Sequence, residues 1–328
     1  MLRALVGGTL RLSHGMTAGR IRNPSCSPET RQKLEFILRC FIDGYNFALT
    51  SKSNEKLALA LDAGFDAHHV GFAYEGAGMA LTVLDLLKLT KSSRLKSFVT
   101  EVGEKHDYIA MVGAGLAVAR MRWAGGFTRS YFSSFDPLLS WCMPDGFGFH
   151  QGFFSPDKFV DHQENSPPDF TPAARQLFDS GIGRSLWWTC GASPQQIAAT
   201  IARFPEDRRG EIWCGIGVAC SYAGGDDGSS LSALLELAGR HHVDFLSGLP
   251  FAARMRQKAG NTSPVTENAC RKLLGQTADE TADMAQRLLE KAEATLGDRA
   301  GRDGYAFVRL HLTENLTQET TSSKALSG

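Results

Sequence analysis

The chain has 328 residues with 35 basic and 35 acidic side chains, so its formal net charge is zero and its composition does not favour a polyanionic partner such as nucleic acid. This length allows a sizeable core in one large or two ordinary domains, and no apolar run approaches the roughly 18 residues that span a membrane. Seven scattered cysteines without a Cys-x-x-Cys pair predict buried thiols in a reducing cytoplasm rather than a disulfide framework.

Residues 1–28 contain four arginines and no acidic residue, a composition that superficially resembles a targeting peptide. The apolar part of this segment is too short, and too often interrupted by glycine and arginine, to be a secretory signal. We predict an N-terminal arm that lies across the first structural repeat. A cleaved segment is the alternative.

Helical periodicity begins at Pro28 and continues through most of the chain. Residues 71–89 form the longest apolar helical run, and residues 277–296 predict a last helix whose charged face would cap the end of the domain. We expect residues 297–328 to be a tail that is disordered from about residue 313, where serine and threonine are frequent. Strand signals are scarce, so the sequence predicts an all-α fold.

A five-residue pattern recurs through the helical region: Gly-x-Gly-Φ-Ala, where Φ is a large apolar residue and some copies depart from the pattern. The first glycine advances by 32, 37, 33, 35, 34 and 33 residues between copies, a period of about 34 that is typical of helical-hairpin repeats. Glycine costs about 1 kcal/mol relative to alanine inside a helix, so we interpret each copy as a patch where two helices meet backbone to backbone. Chance enrichment of small residues is the alternative. The copies begin at Gly44, Gly76, Gly113, Gly146, Gly181, Gly215 and Gly248.

These copies predict a single helical-repeat domain over residues 29–296, with about seven repeats stacked into a solenoid or toroid. The repeat pattern is interrupted at residues 126–172, which are rich in phenylalanine, glycine and proline. Long aromatic loops inside a domain are uncommon and often functional. We therefore treat this segment as an insert that could contribute to a binding site.

Comparison of the copies singles out residues that break the pattern. The fourth position is apolar in six copies and is Arg184 in the other, and the fifth is His150 where alanine or serine is otherwise found. The residue before the first glycine is acidic in three copies, as Asp43, Glu75 and Asp145. Since Arg184 and His150 belong to consecutive repeats, stacking should bring them near each other.

These residue types suit acid–base chemistry. A buried arginine needs an anion, and histidine exchanges protons near neutral pH. We predict that His150 and Glu75 are catalytic groups that move protons, that Arg184 holds a polar end of the ligand, and that Glu75 or Asp145 is its counter-ion. The structural alternative is an Arg184 bridge to Asp179 or Asp145, with His150 capping a carbonyl group.

Aromatic residues accompany these charges. Trp187 and Trp188 follow Arg184 by three and four residues, so at least one of them shares its helical face. With Phe149 and Asp145 they would suit an extended apolar ligand that has one polar end, although core packing explains two tryptophans equally well. Neither pair of adjacent histidines makes a good metal site, and no dinucleotide fingerprint or Walker loop occurs. We expect no metal and no cofactor.

Several segments taken together match a known pattern, namely residues 72–81, 112–120, 136–139, 145–153, 181–187, 197–201 and 260–261. They resemble the domain-of-unknown-function 1702 family, which includes the UnbL-type proteins encoded beside enediyne polyketide synthases. The likeness spans roughly residues 30–275. It implies antibiotic biosynthesis in which the protein acts on a polyene or polyketide intermediate during enediyne core maturation, with a polyketide synthase or another pathway protein as a partner. The family offers no established catalytic residue.

Two hypotheses follow. The first is an enzyme or enzyme subunit that encloses an extended apolar chain between helices and the aromatic insert. The second is a non-catalytic helical-repeat scaffold that docks pathway partners on a concave surface. The residues that break the pattern should converge on an enclosed cavity in the first case and spread over an open groove in the second. No recognisable catalytic motif decides whether the protein is an enzyme.

Overall fold

The fold is all-α, as the sequence predicts. The computed structural model describes residues 10–90, 93–121, 135–136, 138–225 and 228–326, with side chains up to residue 318, and no β-strand occurs in these ranges. The described α-helices are α1 (Pro28–Thr50), α2 (Asn54–Gly64), α3 (Val70–Leu86), α4 (Arg94–Thr100), α5 (Asp107–Arg120), α6 (Cys142–Phe154), α7 (Pro172–Thr189), α8 (Pro194–Ile201), α9 (Glu206–Ala223), α10 (Ser230–Ala238), α11 (His242–Leu246), α12 (Gly248–Lys258), α13 (Pro264–Leu274), α14 (Ala278–Leu296) and α15 (Ala300–Leu326).

Local sequence fixes where many of these helices begin. A serine or threonine precedes the helix, and its side-chain oxygen accepts a hydrogen bond from the backbone N–H three residues later, which satisfies one of the free donors of the first turn. At the start of α14, Glu280 also bonds back to Thr277 and completes a capping box. The capping residues are Ser27, Ser53, Ser93, Thr171, Ser193, Ser263 and Thr277.

The glycine pattern lies where the long central helices touch. Helices α1, α3, α5, α6, α7, α9 and α12 each carry one copy, and each packs against the next in this order. A Cβ atom placed on Gly76 would overlap with the carbonyl oxygen of Phe41 in α1, and one on Gly78 would overlap with that of Ala110 in α5. In the five middle copies the first glycine thus faces the preceding central helix. The second faces the following one, and Gly217 lies against Phe245 of α11 as well as Gly248 of α12. The interpretation as a backbone contact patch is confirmed.

Shorter helices complete the structure around this series. Helices α2, α4, α8, α11 and α13 pack against the central helices, and α10 packs on α8, α11 and α13. Helices α14 and α15 extend the central series beyond α12. All seven cysteines lie in the described ranges, none forms a disulfide, and five are buried. Among the helices described, none combines the length and the apolar character that crossing a membrane requires.

Residues 11–27 form an arm that contains one short 3₁₀ helix, His14–Thr17, and no α-helix. The backbone of Leu12 exchanges two hydrogen bonds with the side-chain amide of Asn46 in α1, at 3.1 and 2.9 Å. Further along, the N–H of Arg22 donates to the carbonyl of Thr189 at the end of α7, at 2.8 Å. The arm therefore lies on α1 and also reaches α7.

The C-terminal segment is a helix, which corrects the expectation of a disordered tail from about residue 313. The sequence interpretation relied on the serine and threonine content and overlooked apolar residues at helical spacing. Tyr305, Val308, Leu312 and Leu316 are buried. Helix α15 packs against α14, so the helix at residues 277–296 is not the terminal cap that we predicted.

A buried polar network also holds α15 in place. Arg309 donates to Glu211 at 3.2 Å, to the hydroxyl of Ser247 at 2.6 Å and to Asp244 at 3.1 Å. The hydroxyl of Tyr305 donates to Glu211 at 2.8 Å. Since Arg309 is paired with two carboxylates inside the protein, displacement of α15 would leave buried charges without partners.

The insert predicted at residues 126–172 is only partly a loop. Residues 126–134 and 137, which include Phe127, Tyr131 and Phe132, lie outside the described residues. The rest contains the 3₁₀ turn Leu139–Trp141, the whole of α6 and a π-helical turn at Asp157–Asp161. Helix α6 carries the fourth glycine copy and belongs to the central series, because its glycines contact α5 and α7 in the same way as the other copies.

Candidate functional site

Three charged residues from three central helices meet inside the protein: Glu75 of α3, Asp145 of α6 and Arg184 of α7. Arg184 donates to Asp145, and its Nη2 atom lies 3.5 Å from Oε1 of Glu75. The hydroxyl of Ser180 donates to the other oxygen of Asp145 at 3.0 Å. All three charged residues are less than one-tenth exposed. We call Glu75, Asp145 and Arg184 the charged cluster.

The repeat register explains why these residues meet. Glu75, Asp145 and Ser180 all occupy the position before the first glycine, which faces the same side in successive stacked helices. Arg184 follows Ser180 by four residues and therefore shares its helical face. The sequence comparison noted acidic residues at this position but overlooked Ser180, although the same alignment of copies contained it.

Burial and neighbouring charge set the protonation of the cluster. Burial raises the pKa of Glu75 to about 7, with Asp145 adding to the rise and Arg184 opposing it. Burial acts to lower the pKa of Arg184, but the carboxylates of Asp145 and Glu75 outweigh it and raise the pKa. Arg184 therefore stays charged beside Asp145, while Glu75 can exchange a proton near neutral pH. A carboxyl of this kind suits general acid–base catalysis.

A mostly apolar cavity borders the cluster on one side. It has a volume of about 100 Å³, is partly open to solvent and is lined by side chains from α5, α6, α7, α9, α12, α14 and α15. Asp145, Ser180 and Arg184 line its buried end, while half-buried Tyr108 and Arg254 also contribute to its wall. We call this space the helix cavity. Its apolar lining includes Ile109, Val112, Trp141, Leu177, Val218 and Leu289.

A second cavity borders the cluster from the side of the N-terminal arm. Its volume is about 30 Å³, and Leu12 and Met16 of the arm form part of its wall. We call it the arm cavity. Arg184 lines both cavities, whereas Glu75 lines only this one. The other residues that line it include Ile37, Phe41, Phe72, Leu116, Phe149, Phe153 and Trp188.

A model of the DUF1702 family, described as a protein of unknown function, matches residues 11–313 of the chain. The chain belongs to this family. No curated protein and no solved structure gives a significant match. The resemblance found in the sequence is therefore confirmed at the level of the family.

In this DUF1702 protein the two adjacent tryptophans have different surroundings. Trp188 lines the arm cavity and packs edge to face on Phe149, with ring centroids 5.5 Å apart. The guanidinium of Arg184 lies 5.3 Å from the centroid of the same Phe149 ring. Trp187 borders neither cavity, is fully buried and donates its indole N–H to the carbonyl of Gly224 at 2.6 Å. Core packing accounts for Trp187, so of the three aromatic residues predicted to bind the ligand, Trp188 and Phe149 lie at the candidate site.

His150 lines neither of the two cavities beside the charged cluster, so the structure does not bring it together with Arg184 at the candidate site. It lines a separate pocket of about 390 Å³ together with Arg120, Lys158 and Glu164. Consecutive residues of a helix point about 100° apart, so the fifth position of the pattern faces another side from the fourth. Burial lowers the pKa of His150 to about 4, with a smaller contribution from Arg120, and the imidazole is neutral at pH 7.

The structural alternatives for Arg184 are also resolved by this geometry. Asp145 is its partner, while Asp179 binds Arg208 through bonds of 2.6 to 3.1 Å. Asp43, the third acidic residue of the series, is exposed at the surface and pairs with His14 of the arm. Over the described ranges, no group of three or more His, Cys, Asp or Glu side chains is arranged to hold a metal ion.

Proposed function

We propose that this protein binds an extended apolar molecule, such as a polyene or polyketide intermediate, and moves a proton on it with Glu75. The observation that carries the proposal is the position of the charged cluster between two cavities that are otherwise mostly apolar. A pocket with apolar walls and a few convergent polar groups is the usual form of a small-molecule site. A carboxyl whose pKa is near 7 strengthens the interpretation, because such groups concentrate at functional sites.

Each member of the cluster has a distinct role in this proposal. Glu75 takes a proton from the ligand or gives one to it. Arg184 is held by Asp145 and supplies a fixed positive charge that stabilises negative charge developing on the ligand. Asp145 keeps the guanidinium in place and is itself fixed by Ser180. The apolar walls exclude water, which keeps the pKa of Glu75 raised.

The narrower proposal is enediyne-type antibiotic biosynthesis in the cytoplasm, beside a polyketide synthase. It is supported by membership of the DUF1702 family and by the UnbL-type likeness of the sequence segments. A linear polyene is long and apolar, and its rearrangement or cyclisation requires protons to move between carbon atoms. These requirements agree with an apolar cavity that contains a protonatable carboxyl.

The proposal extends to the architecture: seven helical-hairpin repeats that curve into a closed ring around the cavities. Contacts between helices far apart in the series support closure. Arg256 of α12 donates to the carbonyl of His68 at 2.8 Å, and Lys258 pairs with Asp107 of α5 at 2.6 Å. Glu75, Asp145 and Arg184 converge on one buried place instead of spreading over a surface, which favours the enzyme hypothesis over the scaffold hypothesis.

The test is to incubate the purified protein with the linear polyene released by an enediyne-type polyketide synthase and to follow its absorption spectrum and mass. Wild-type protein should form a new product, and Glu75→Gln should reduce its rate about 100-fold. Asp179→Asn is the matched control, because Asp179 is also a buried carboxylate paired with arginine but borders neither cavity.

Equal rates for wild type and Glu75→Gln would refute the catalytic role of Glu75. A spectral shift on binding without any product would favour a carrier over an enzyme. Melting curves of both variants should show that they are folded, so that a lost product cannot be attributed to unfolding.

A further inference from the structure

Trp188 carries a buried hydrogen-bond donor that the protein leaves unused. Its side chain is 3% exposed and lines the arm cavity, and its indole Nε1 has no hydrogen-bond partner among the described residues. The adjacent Trp187 shows the usual arrangement, since its Nε1 donates to Gly224. Buried donors are nearly always paired, and an unpaired one is unfavourable. The side chain that carries this donor forms part of the wall of the arm cavity, while Nε1 itself has less than 1 Å² of accessible surface, so an acceptor reaches it when a neighbouring side chain moves.

The chemistry of the arm cavity indicates which kind of ligand group would pair with Nε1 of Trp188. Indole N–H is a donor only, so the missing group is an acceptor. Glu75 lines the same cavity and can be negatively charged, and the charge of Arg184 is already matched by Asp145. A second anion beside Glu75 would be repelled, so an uncharged acceptor fits better.

The size of the arm cavity further limits which acceptor group can enter it. The arm cavity has a volume of about 30 Å³, which is enough for one or a few heavy atoms and not for a chain. Its remaining walls are largely apolar, with Leu12, Met16 and Phe149 among them. An uncharged carbonyl group at the end of a larger apolar molecule meets these conditions of size, polarity and charge.

We infer that the arm cavity is the subsite for a ligand carbonyl, whose oxygen accepts a hydrogen bond from Nε1 of Trp188 beside Glu75. This inference rests on the proposed function, because it assigns the carbonyl end of the same ligand to the arm cavity. The apolar body of the ligand then lies elsewhere in the protein, and the helix cavity can hold part of it. It makes Trp188 the residue that distinguishes ketones, esters and thioesters from hydrocarbons of equal shape.

Two ligands of matched shape test the subsite: the conjugated methyl ketone undecadienone and its hydrocarbon isostere methylundecatriene, in which a methylene group replaces the ketone oxygen. Wild-type protein should bind the ketone about tenfold more tightly in an absorption titration. Trp188→Phe should bind both ligands equally, because phenylalanine keeps the ring and removes the N–H group. Trp187→Phe is the matched control and should retain the tenfold preference.

A spectroscopic measurement keeps the inference testable if a variant folds poorly. In wild-type protein labelled with ¹⁵N, the indole resonance of Trp188 should move on addition of the ketone and stay in place on addition of the hydrocarbon. That resonance is assigned by its absence from Trp188→Phe, or by local labelling if this variant does not fold.

The outcomes separate the two proposals. Equal binding of both ligands by wild type, or an unchanged preference in Trp188→Phe, would overturn the carbonyl subsite and leave the apolar site in place. A resident water on Nε1 would give the same result, since neither ligand would then use the donor. Failure of wild type to bind either ligand would overturn the subsite and weaken the proposed function with it.

Discussion

Helix α7 contributes to two buried arginine–carboxylate arrangements with different designs. Asp179 binds Arg208 of α9, and one and a half turns later Arg184 binds Asp145 of α6. Each guanidinium also lies over a phenylalanine ring, at 5.2 Å for Arg208 and 5.3 Å for Arg184. The first arrangement has one carboxylate for one arginine, whereas the second includes Glu75 as well.

A raised pKa alone does not identify a functional carboxyl in this protein. Burial raises the pKa of Asp179 to about 6, much as it raises that of Glu75 to about 7. Asp179, however, receives three hydrogen-bond contacts from Arg208 and borders neither cavity. Glu75 shares its arginine with Asp145 and lines the arm cavity. The additional carboxyl and the adjacent space are what distinguish the candidate site from a structural ion pair.

The largest effects are expected when either arginine is removed. Arg184→Met and Arg208→Met should each lower the free energy of unfolding by about 3–5 kcal/mol, because each leaves a buried carboxylate without its partner. Arg184→Met should go on losing stability above pH 7, because without the guanidinium the pKa of Glu75 rises further and the folded variant retains a proton that the unfolded chain has released. Urea unfolding of both variants at pH 6 and pH 8 checks this. A cost below about 1 kcal/mol for Arg184→Met would contradict the buried cluster.

The two carboxyls should also differ in the pH range over which they affect stability. A carboxyl whose pKa is raised in the folded state retains a proton that the unfolded chain has released, so its effect is a loss of stability as pH rises. The loss should extend from about 4.5 to 7 for Glu75 and from about 4 to 6 for Asp179. Each should total about 3 kcal/mol, since one pKa unit corresponds to about 1.4 kcal/mol.

Replacing each carboxyl by its amide should show over which pH range that carboxyl affects stability. Glu75→Gln should flatten the stability profile between pH 6 and 7, whereas Asp179→Asn should flatten it only at lower pH. Urea unfolding across this pH range provides the measurement. An unchanged slope between pH 6 and 7 in Glu75→Gln would show that Glu75 does not titrate there.

A smaller effect is expected from crowding the backbone contact beside the charged cluster. A Cβ atom on Gly181 would overlap with the carbonyl oxygen of Asp145, so Gly181→Ala should push α6 and α7 apart and cost about 1–3 kcal/mol. Gly15→Ala is the control, because its nearest neighbour would be the Ser13 hydroxyl at an ordinary 3.7 Å. Thermal unfolding compares the two, and equal melting temperatures would argue against the close contact.

The smallest expected effect distinguishes the two tryptophans. Trp187→Phe should cost about 1 kcal/mol more than Trp188→Phe, because only the first removes a hydrogen bond, the one to the carbonyl of Gly224. Both replacements remove a similar volume from the interior, so the difference isolates the hydrogen bond. Paired urea titrations are the measurement. A larger loss for Trp188→Phe would mean that its indole N–H has a partner in solution.

Sequence patterns predicted the all-α fold and the backbone contacts because these depend on local signals. Two glycines in one helical turn are enough to mark a face without side chains, and the position before the first glycine then led to Glu75 and Asp145. The buried face of α15 could have been found in the same way, from the spacing of Tyr305, Val308 and Leu312. The serine and threonine content of this segment was the misleading signal.

Other features depend on contacts that no single segment contains. His150 stands out among the copies, yet the direction of its side chain depends on how α6 is rotated between its neighbours. The roles of Trp187 and Trp188 differ because the carbonyl of Gly224, far away in the chain, reaches only the first. Position in a repeat predicts which face a residue occupies, while its partner is determined by tertiary packing.

The glycine contacts have a consequence for redesign of the protein. With backbone directly against backbone, the spacing of the central helices is set by the polypeptide itself, and exchange of neighbouring side chains cannot widen it. The distance between the helices that line the cavities is therefore fixed. An engineer who wishes to admit a larger or smaller molecule should replace side chains that project into the open space, such as Leu116 or Val218, and leave every glycine of the series untouched.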